Sequence, residues 1–503
     1  MPFEQLLKSI PHKFTPEEQA RLERALAFSK LAHEGQKRKS GEEYISHPIE
    51  AAIILGQIFP DATSLAAVLL HDVTEDTEKT LVDIKKEFGE EVAGLVDGVS
   101  KLGKVRLRNS KDPQYMETLR KMFIATSKDV RVMMIKLADR LHNIRTLAHL
   151  PEDKQTKIAT ETLEMYAPIA ARLGINTWKD ELEDLSFSIV DPTAFKQTHD
   201  LLTDEMAKRQ GSIKSLEKEL GHVLRTEGTK FIEISGRTKR VYSLYKKLMK
   251  NTGDISKIYD MYALRIMTKS TADCYAVLGA IHQHFHPLPG RIKDYISTPK
   301  PNGYQSLHTT VFDTTGSAFE IQIRTDLMHE EAERGVAAHW FYSQSGKVSN
   351  SVDSRLGWIN ELRNWQENTT NAEDFIESLK IDFFRDRIFV LTPKGDVKDL
   401  PSGATVIDFA FSVHSDLGYF MMGGKVNNKM VKLTHELEQG DVVEILKSKQ
   451  PVKISRDWLA AAKTSNARSR IRQYLNEHDK GIIQRVRELK LKDFSLPTFF
   501  RKK

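Results

Sequence analysis

The chain runs to 503 residues, room for about three domains at roughly 150 residues apiece. Lys and Arg number 75 against 69 Asp and Glu, so the net charge is only +6, too mild over this length to mark a nucleic-acid binder. With 40% hydrophobic and 29% charged residues it is not a mostly disordered chain, and its single cysteine, Cys274, excludes an internal disulfide framework or a Cys-rich zinc module. No apolar run nears the ~20 residues that span a bilayer. The opening MPFEQLLKSIPHKF lacks a signal peptide's apolar core, and a reducing cytoplasm fits.

To about Val190 the sequence reads as helix after helix. LAAVLLHDVTEDTEKTLVDIKKEFG and VRVMMIKLADRLHNIRTLAHL both place apolar residues at helical spacing. Asp191-Pro192 signals a boundary, and residues 193–226 are again helical. The period then changes. KFIEIS, YALRIMT, HTTVFD and FEIQIRT read as short strands, interleaved with the helical VYSLYKKLMK and TADCYAVLGAIHQHF. SQSGKVSNSVDS is a polar linker, and GWINELRNWQEN and AEDFIESLKIDFF read as connecting helices. RIFVLTPKGDVKDLP predicts a hairpin turning at Pro-Lys-Gly-Asp. TVIDFAFSVH is a short helix, KMVKLTHELEQGDVVEIL returns to strand, and the tail from 455 is helical and basic. The expected organisation is multidomain: an all-α domain over 1–195, an α/β domain over 196–345, a helical linker over 346–384, a small β-rich module over 385–448 and a helical segment over 449–503.

In the helical part, four residues suggest a metal site. Ser46 can cap a helix and Pro48 suits its first turn, which puts His47 at a helix start. His71-Asp72 follows the apolar run LAAVLL on a second helix, and Asp139 lies on a third. Two imidazoles and two carboxylates suit a divalent transition metal, and a buried His-Asp pair without a partner would be costly. Glu75 is four residues after His71 and Asp76 four after Asp72, so all four fall on one side of the helix. As functional residues Glu75 and Asp76 would position or activate a water; the plain alternative is a solvated acidic step. Asn143 and Thr146 share a face with Asp139, and Lys37-Arg38-Lys39 supplies cations for an anionic substrate.

A second constellation lies in the α/β part. Arg237, Lys239 and Arg240 precede a helix carrying Ser243, Lys246 and Lys247, a setting for phosphates. RIKDYISTPKPNGYQSLH adds Arg291, Lys293, Lys300 and Tyr304, an aromatic face for a base. In FEIQIRT, Glu320, Gln322 and Arg324 alternate with Ile321 and Ile323. Spacing alone leaves Glu320 and Asp260 open between a solvent face and a Mg-binding or proton-accepting pair.

RKSGEEYISHP, LLHDVTEDT and KLADRLHNIRTL resemble the hydrolase domain of the RelA/SpoT family, a branch of the HD phosphohydrolases. ETLEMYAPIAARLG is similar to that family's joint between hydrolase and synthetase. GYQSLHTTV, EIQIRT and GVAAHW resemble its synthetase domain, and VLTPKGDVKDLPSGATVIDFAFSVH its TGS domain. The resemblance implies an all-α HD hydrolase domain, an α/β nucleotidyltransferase-like synthetase domain, a small β-grasp TGS domain and a helical tail. It implies a bifunctional alarmone enzyme. One site moves pyrophosphate from ATP to the 3′-hydroxyl of GDP or GTP; the other hydrolyses the resulting (p)ppGpp.

By motif, His47, His71, Asp72 and Asp139 would ligate Mn2+, Glu75 and Asp76 would activate water, and Arg38, Lys39, Asn143 and Thr146 would surround the nucleotide. In the synthetase Arg237 and Arg265 would sandwich adenine, and Lys239, Ser243 and Lys247 would hold phosphates. Asp260 and Glu320 would bind Mg2+, with Glu320 also the candidate base. Tyr304 would stack on guanine near Asn302 and His308, with Arg291, Lys293, Lys300 and Gln322 completing the site. RIKD at 291–294 resembles the basic signature of bifunctional members, while Thr238 and Arg240 depart from the family's usual Pro and His. His414 matches a position that meets the tRNA acceptor end on the ribosome. Two other readings stay open: a hydrolase with a silent synthetase, and a ribosome- or tRNA-binding regulator with vestigial enzyme domains.

Overall fold

The computed structural model describes residues 2–103, 128–255, 258, 261–300, 302–312, 316–338 and 387–477. The expected linker helices, Asp260 and the last part of the tail lie outside the described residues. The chain divides into two compact units, residues 1–370 and 371–503, and each is described by itself.

The first unit begins with helices α1 (Pro2–Ser9), α2 (Pro16–Ala32), α3 (Ser46–Ile58), α4 (Ala62–Leu70), α5 (Val73–Asp76), α6 (Leu81–Phe88), α7 (Glu90–Gly103) and α8 (Val130–Arg145). Side-chain caps start several of them: Thr15 forms a capping box with Glu18, Asp61 accepts from Ser64 N, and Asp129 from Arg131 N. Helices α3 and α4 are apolar almost all round, so they are buried almost throughout, α3 against α8 and α4 against α2 and α7. Two expectations are corrected here. The helix carrying LAAVLL does not run on through the acidic step: α4 stops at Leu70, His71 is its C-cap, and Asp72 opens the separate one-turn α5. Ser46 is the first helical residue and not the cap; Ile45 precedes it without a side-chain cap bond.

The chain continues through α9 (Glu152–Glu161), a π-helical turn (Thr162–Tyr166), α10 (Ala167–Arg172), α11 (Asn176–Val190) and α12 (Pro192–Thr226). Asp191 caps α12 by accepting from Ala194 N, with Pro192 at its first position. Then come β1 (Glu233–Thr238), α13 (Val241–Lys250), β2 (Tyr262–Thr268), α14 (Thr271–His284), β3 (Lys293–Asp294), β4 (Leu307–Phe312), β5 (Ala318–Thr325) and α15 (Asp326–Arg334). The sheet order is β1-β2-β5-β4-β3, with β2 and β5 parallel and the other pairs antiparallel. Strand β1 starts three residues later than KFIEIS suggested, because Glu233 through Thr238 pair in register with β2. Leu216, Leu220 and Leu224 of α12 share one core with Leu244, Leu264, Ile321 and Ile323.

A tight seam joins the helical half to the sheet half of this unit. Val336 N donates to Leu173 O at 2.9 Å, Asn176 Nδ2 to Ala332 O at 2.7 Å and Asn302 Nδ2 to Ala171 O at 3.4 Å. Gly335, at φ +57°, lets α15 come this close; a Cβ there would overlap the Leu173 carbonyl oxygen.

The second unit holds the predicted hairpin, β6 (Arg387–Leu391) with β7 (Val397–Pro401), then α16 (Val406–Val413) and α17 (Ser415–Tyr419). A second sheet runs β10-β8-β9, from β8 (Met421–Val426), β9 (Lys429–Val431) and β10 (Val443–Lys447). The expected strand over 429–446 is thus two short strands with a loop between. Strand β8 was not foreseen, since MMGGKV has neither alternation nor β-branched residues before its last position. Buried Asp408 accepts from Thr405 N and Oγ1 and from the backbone N–H groups of Lys463 and Thr464. It thereby caps α16 and clasps the helices that follow, α18 (Arg456–Ala461) and residues 465–477.

Gly335→Ala should destabilise the first unit by about 1–3 kcal/mol, through backbone strain plus the clash. A urea-unfolding midpoint unchanged by this substitution would contradict the seam.

Candidate active sites

Three helix ends and one helix interior converge in the helical half. His47 Nε2 lies 3.2 Å from Asp139 Oδ1 and 3.5 Å from Asp72 Oδ2; His71 Nε2 lies 3.0 Å from Asp72 Oδ1 and 3.8 Å from Asp139 Oδ1. The ligand atoms of buried His47, His71 and Asp139 fall within 4.8 Å of one another. The break between α4 and α5 is what turns both His71 and Asp72 toward Asp139.

The donor chemistry fits a divalent metal. His71 Nδ1 is 2.7 Å from Val68 O and donates its proton there, which turns Nε2 inward; Nε2 is buried and makes no hydrogen bond. Burial works against the His71 cation, but the Asp72 and Asp139 carboxylates outweigh it and hold its pKa up at about 9. Burial alone would raise Asp139. Lys136, at 2.5 Å, with His47 and His71 close by, instead holds it well below the usual carboxylate range. The pocket therefore calls for positive charge, which a metal ion supplies as well as a proton does.

The surrounding residues include several the sequence reading passed over. His47 Nδ1 is 2.7 Å from His142 Nδ1. Burial, with His47 and Arg38 nearby, pushes His142 down to about 3, so neutral His142 accepts the His47 proton and leaves His47 Nε2 for a cation. His142 follows Asp139 by three residues, a same-face spacing that could have flagged it. Asn143 Nδ2 donates to Asp139 Oδ1 at 2.5 Å. Arg38 reaches Asn143 Oδ1 at 3.3 Å and Thr146 Oγ1 at 3.4 Å, so these three expected nucleotide neighbours come together; Lys39 stands exposed beside them. Glu75 is exposed, yet partial desolvation raises its pKa against the pull of Lys136.

The second constellation lies on the sheet. Glu320 and Gln322 share one face of β5 with Arg324. That face is not a solvent face: Gln322 and Arg324 are 7% and 1% exposed. His308 Nδ1 is 3.2 Å from Glu320 Oε1, Tyr304 Oη is 2.8 Å from His308 Nε2, and Gln322 Nε2 donates to Glu320 Oε1 at 2.8 Å. Burial holds His308 below its usual range. Neutral His308 then donates from Nδ1 to Glu320 and accepts at Nε2 from Tyr304. Lys300 Nζ sits 4.6 Å from the Tyr295 ring centroid and 4.9 Å from that of Tyr304; desolvation and Lys293 push its pKa down to about 8.

Arg237, Lys239 and Arg265 line a neighbouring cavity of about 770 Å³ with Arg240, His329 and Glu333. Glu333 lies 3.4 Å from Arg324 and 3.7 Å from Arg265, a link no local motif announces. On the cavity's other wall Asp180 faces Arg237 at 3.7 Å. Ser243 and Lys247 lie one turn apart on α13, and Arg291 and Lys293 are exposed at the entry to β3.

Three family profiles match the chain: an HD domain over 25–176, a region found in RelA/SpoT proteins over 236–347 and a TGS domain over 388–447. Fold and site thus define a multidomain protein with an all-α HD domain, an α/β RelA/SpoT domain and a TGS domain. The chain is 45% identical over 481 residues to a "GTP pyrophosphokinase" of Myxococcus xanthus, covering 94% of this chain and 63% of that protein. It is 42% identical to the "bifunctional (p)ppGpp synthase/hydrolase SpoT" of Escherichia coli K12, covering 93% and 67%. It is 40% identical to a "guanosine-3′,5′-bis(diphosphate) 3′-pyrophosphohydrolase" of Aquifex aeolicus, covering 96% and 70%. The chain belongs to the RelA/SpoT family. It spans a little under two thirds of the Myxococcus relative's length. Among the described residues, no helix is long and apolar enough to cross a membrane.

Mn2+ at a hundredfold excess over its Kd should stabilise the first unit by about 2.7 kcal/mol. His71→Ala should erase that gain. An unfolding midpoint that ignores Mn2+ would contradict the metal site.

Proposed function

We propose that this chain is a bifunctional alarmone enzyme: it transfers pyrophosphate from ATP to the 3′-hydroxyl of GDP or GTP, and it hydrolyses (p)ppGpp back to GDP or GTP and pyrophosphate. The observation that carries the reading is the pair of separate sites, buried His47, His71 and Asp139 with partly buried Asp72 at their edge, and a Tyr304–His308–Glu320 chain of hydrogen bonds. The named activities of the relatives agree with both halves.

In the hydrolase site the four ligand residues would hold Mn2+, which supplies Lewis acidity at the 3′-phosphate when bound. Arg38, Asn143 and Thr146 hold the nucleotide, with Lys39 at its edge. Glu75 and Asp76 position the attacking water. Glu75, whose pKa desolvation raises, is the proposed proton acceptor. Water adds to phosphorus, the bond to the 3′-oxygen breaks, and that oxygen takes up a proton as pyrophosphate leaves.

In the synthetase site Arg237 and Arg265 bracket the adenine of ATP, and Lys239, Ser243 and Lys247 take its phosphates. Tyr304 stacks on the acceptor guanine with Asn302 beside it. Arg291, Lys293 and Lys300 neutralise acceptor phosphates. Glu320, oriented by His308 and Gln322, accepts the 3′-hydroxyl proton. Glu320 would also hold Mg2+ with Asp260, which neutralises charge on the transferring group. Such nucleotide substrates support a cytoplasmic location. The TGS domain, with His414 exposed, is the proposed contact to deacylated tRNA on the ribosome.

Asp72→Ala should abolish Mn2+-dependent hydrolysis and spare synthesis; Glu320→Gln should do the reverse. Equal loss of both activities in either variant would sink the assignment of separate sites. A pH series tests Lys300. Its cation is present below pH 7 and lost as pH rises through about 8. Acceptor Kd should therefore rise about tenfold between pH 7 and 9, and Lys300→Arg should flatten that rise. A flat profile in the unsubstituted protein would remove Lys300 from the site.

A further inference from the structure

The segment carrying Arg38 is a small hairpin. Arg38 N donates to Glu42 O at 2.9 Å, and Tyr44 N donates to Gln36 O at 3.0 Å. Both of its ends grip one residue. The Tyr44 hydroxyl lies 2.7 Å from Asp76 Oδ2 and 2.8 Å from Asp72 Oδ2. Gln36 Nε2 donates to the Asp76 backbone carbonyl at 2.8 Å. Buried His33 braces both ends. Its Nδ1 is 2.9 Å from Gln36 Oε1, and its ring stacks on Tyr44 with centroids 4.4 Å apart and planes 19° apart.

We propose that Tyr44 is a positioning residue for hydrolysis: it ties the water-side carboxylate Asp76 to the metal-side carboxylate Asp72, with Gln36 and His33 holding the clamp in shape. The inference rests on the hydrolase reading above. The physical need for such a clamp is plain. Helix α5 is a single turn, and one turn of helix has little stability of its own. Its two carboxylates also repel each other. A phenol wedged between them offers its proton to one and keeps both at fixed separation. Without it Asp76 is free to swing into solvent, and a group displaced by about 1 Å from the reacting water can lose a hundredfold in rate. The same hairpin bears Arg38, so it connects the grip on the nucleotide with the placement of the water.

Tyr44→Phe keeps the ring against His33 and removes only the hydroxyl. At saturating Mn2+ it should lower the kcat for guanosine tetraphosphate hydrolysis by about 10–100-fold, the usual effect of losing an outer-shell partner. KM should stay within about twofold, since the phenol does not hold the nucleotide. The Mn2+ Kd, read from the shift in unfolding midpoint, should rise several-fold because Asp72 loses its orienting partner. Synthesis should be unchanged. An unaltered hydrolytic kcat at saturating Mn2+ overturns the proposal. If Tyr44→Phe also lowers synthesis, the fold has suffered and Gln36→Met decides, because it removes only the donor to the Asp76 carbonyl. Reduced hydrolysis with intact synthesis supports the clamp, and full hydrolysis overturns it. Asp76→Asn runs beside them: if it hydrolyses at the full rate, Asp76 has no part in placing the water and the clamp fails with it, whereas no hydrolysis by the unsubstituted chain at saturating Mn2+ would mean that the hydrolase reading itself has failed.

Discussion

Asp139 is buried between two imidazoles with a second carboxylate at their edge, and the helical half is built around that arrangement. Carboxylates away from water are costly unless cations or donors meet them. Lys136, Asn143 and the two histidines meet Asp139, while Val68 O and His142 fix the tautomers of His71 and His47. The rigidity needed to hold such a cluster comes from α3 and α4, whose apolar surfaces are buried almost completely. Their ends then deliver His47 and His71 to one point, and the break after Leu70 aims Asp72 at the same point.

The sheet half solves a different problem with the same economy of groups. A carboxylate proposed to accept a proton needs a fixed orientation and a defined partner. Glu320 has both, because β4 and β5 are adjacent antiparallel strands and His308 lies diagonally across from it. The loop carrying Asn302 is anchored from outside the sheet, through Asn302 to Ala171. The backbone contact at Gly335 brings α15 to the same joint. Glu333 on α15 in turn faces Arg265 and Arg324.

Much of this was legible in the sequence, and the reasons are local. The His71-Asp72 pair stands out because it follows an uninterrupted apolar helix, and EIQIRT because its charges alternate with isoleucines. The hairpin turn at Pro393-Lys394-Gly395-Asp396 and the boundary at Asp191-Pro192 are also local signals. What escaped depended on distant partners. Nothing near Tyr44 in the chain announces Asp76, and nothing near Glu333 announces Arg265. The end of α4 escaped because LLHDVTED keeps helical periodicity straight across the break. Strand β1 slipped because Gly236 and Arg237 carry no strand signal of their own; pairing with β2 decides their conformation.

The central claim is that one chain carries two chemically separate sites, and nucleotide turnover by the purified chain tests it most directly. Anion-exchange chromatography follows two reactions, one with ATP, GDP and Mg2+, the other with guanosine tetraphosphate and Mn2+. The account predicts AMP and guanosine tetraphosphate in the first, and GDP and pyrophosphate in the second. Unchanged nucleotides in both reactions, from a chain that is folded, would contradict it.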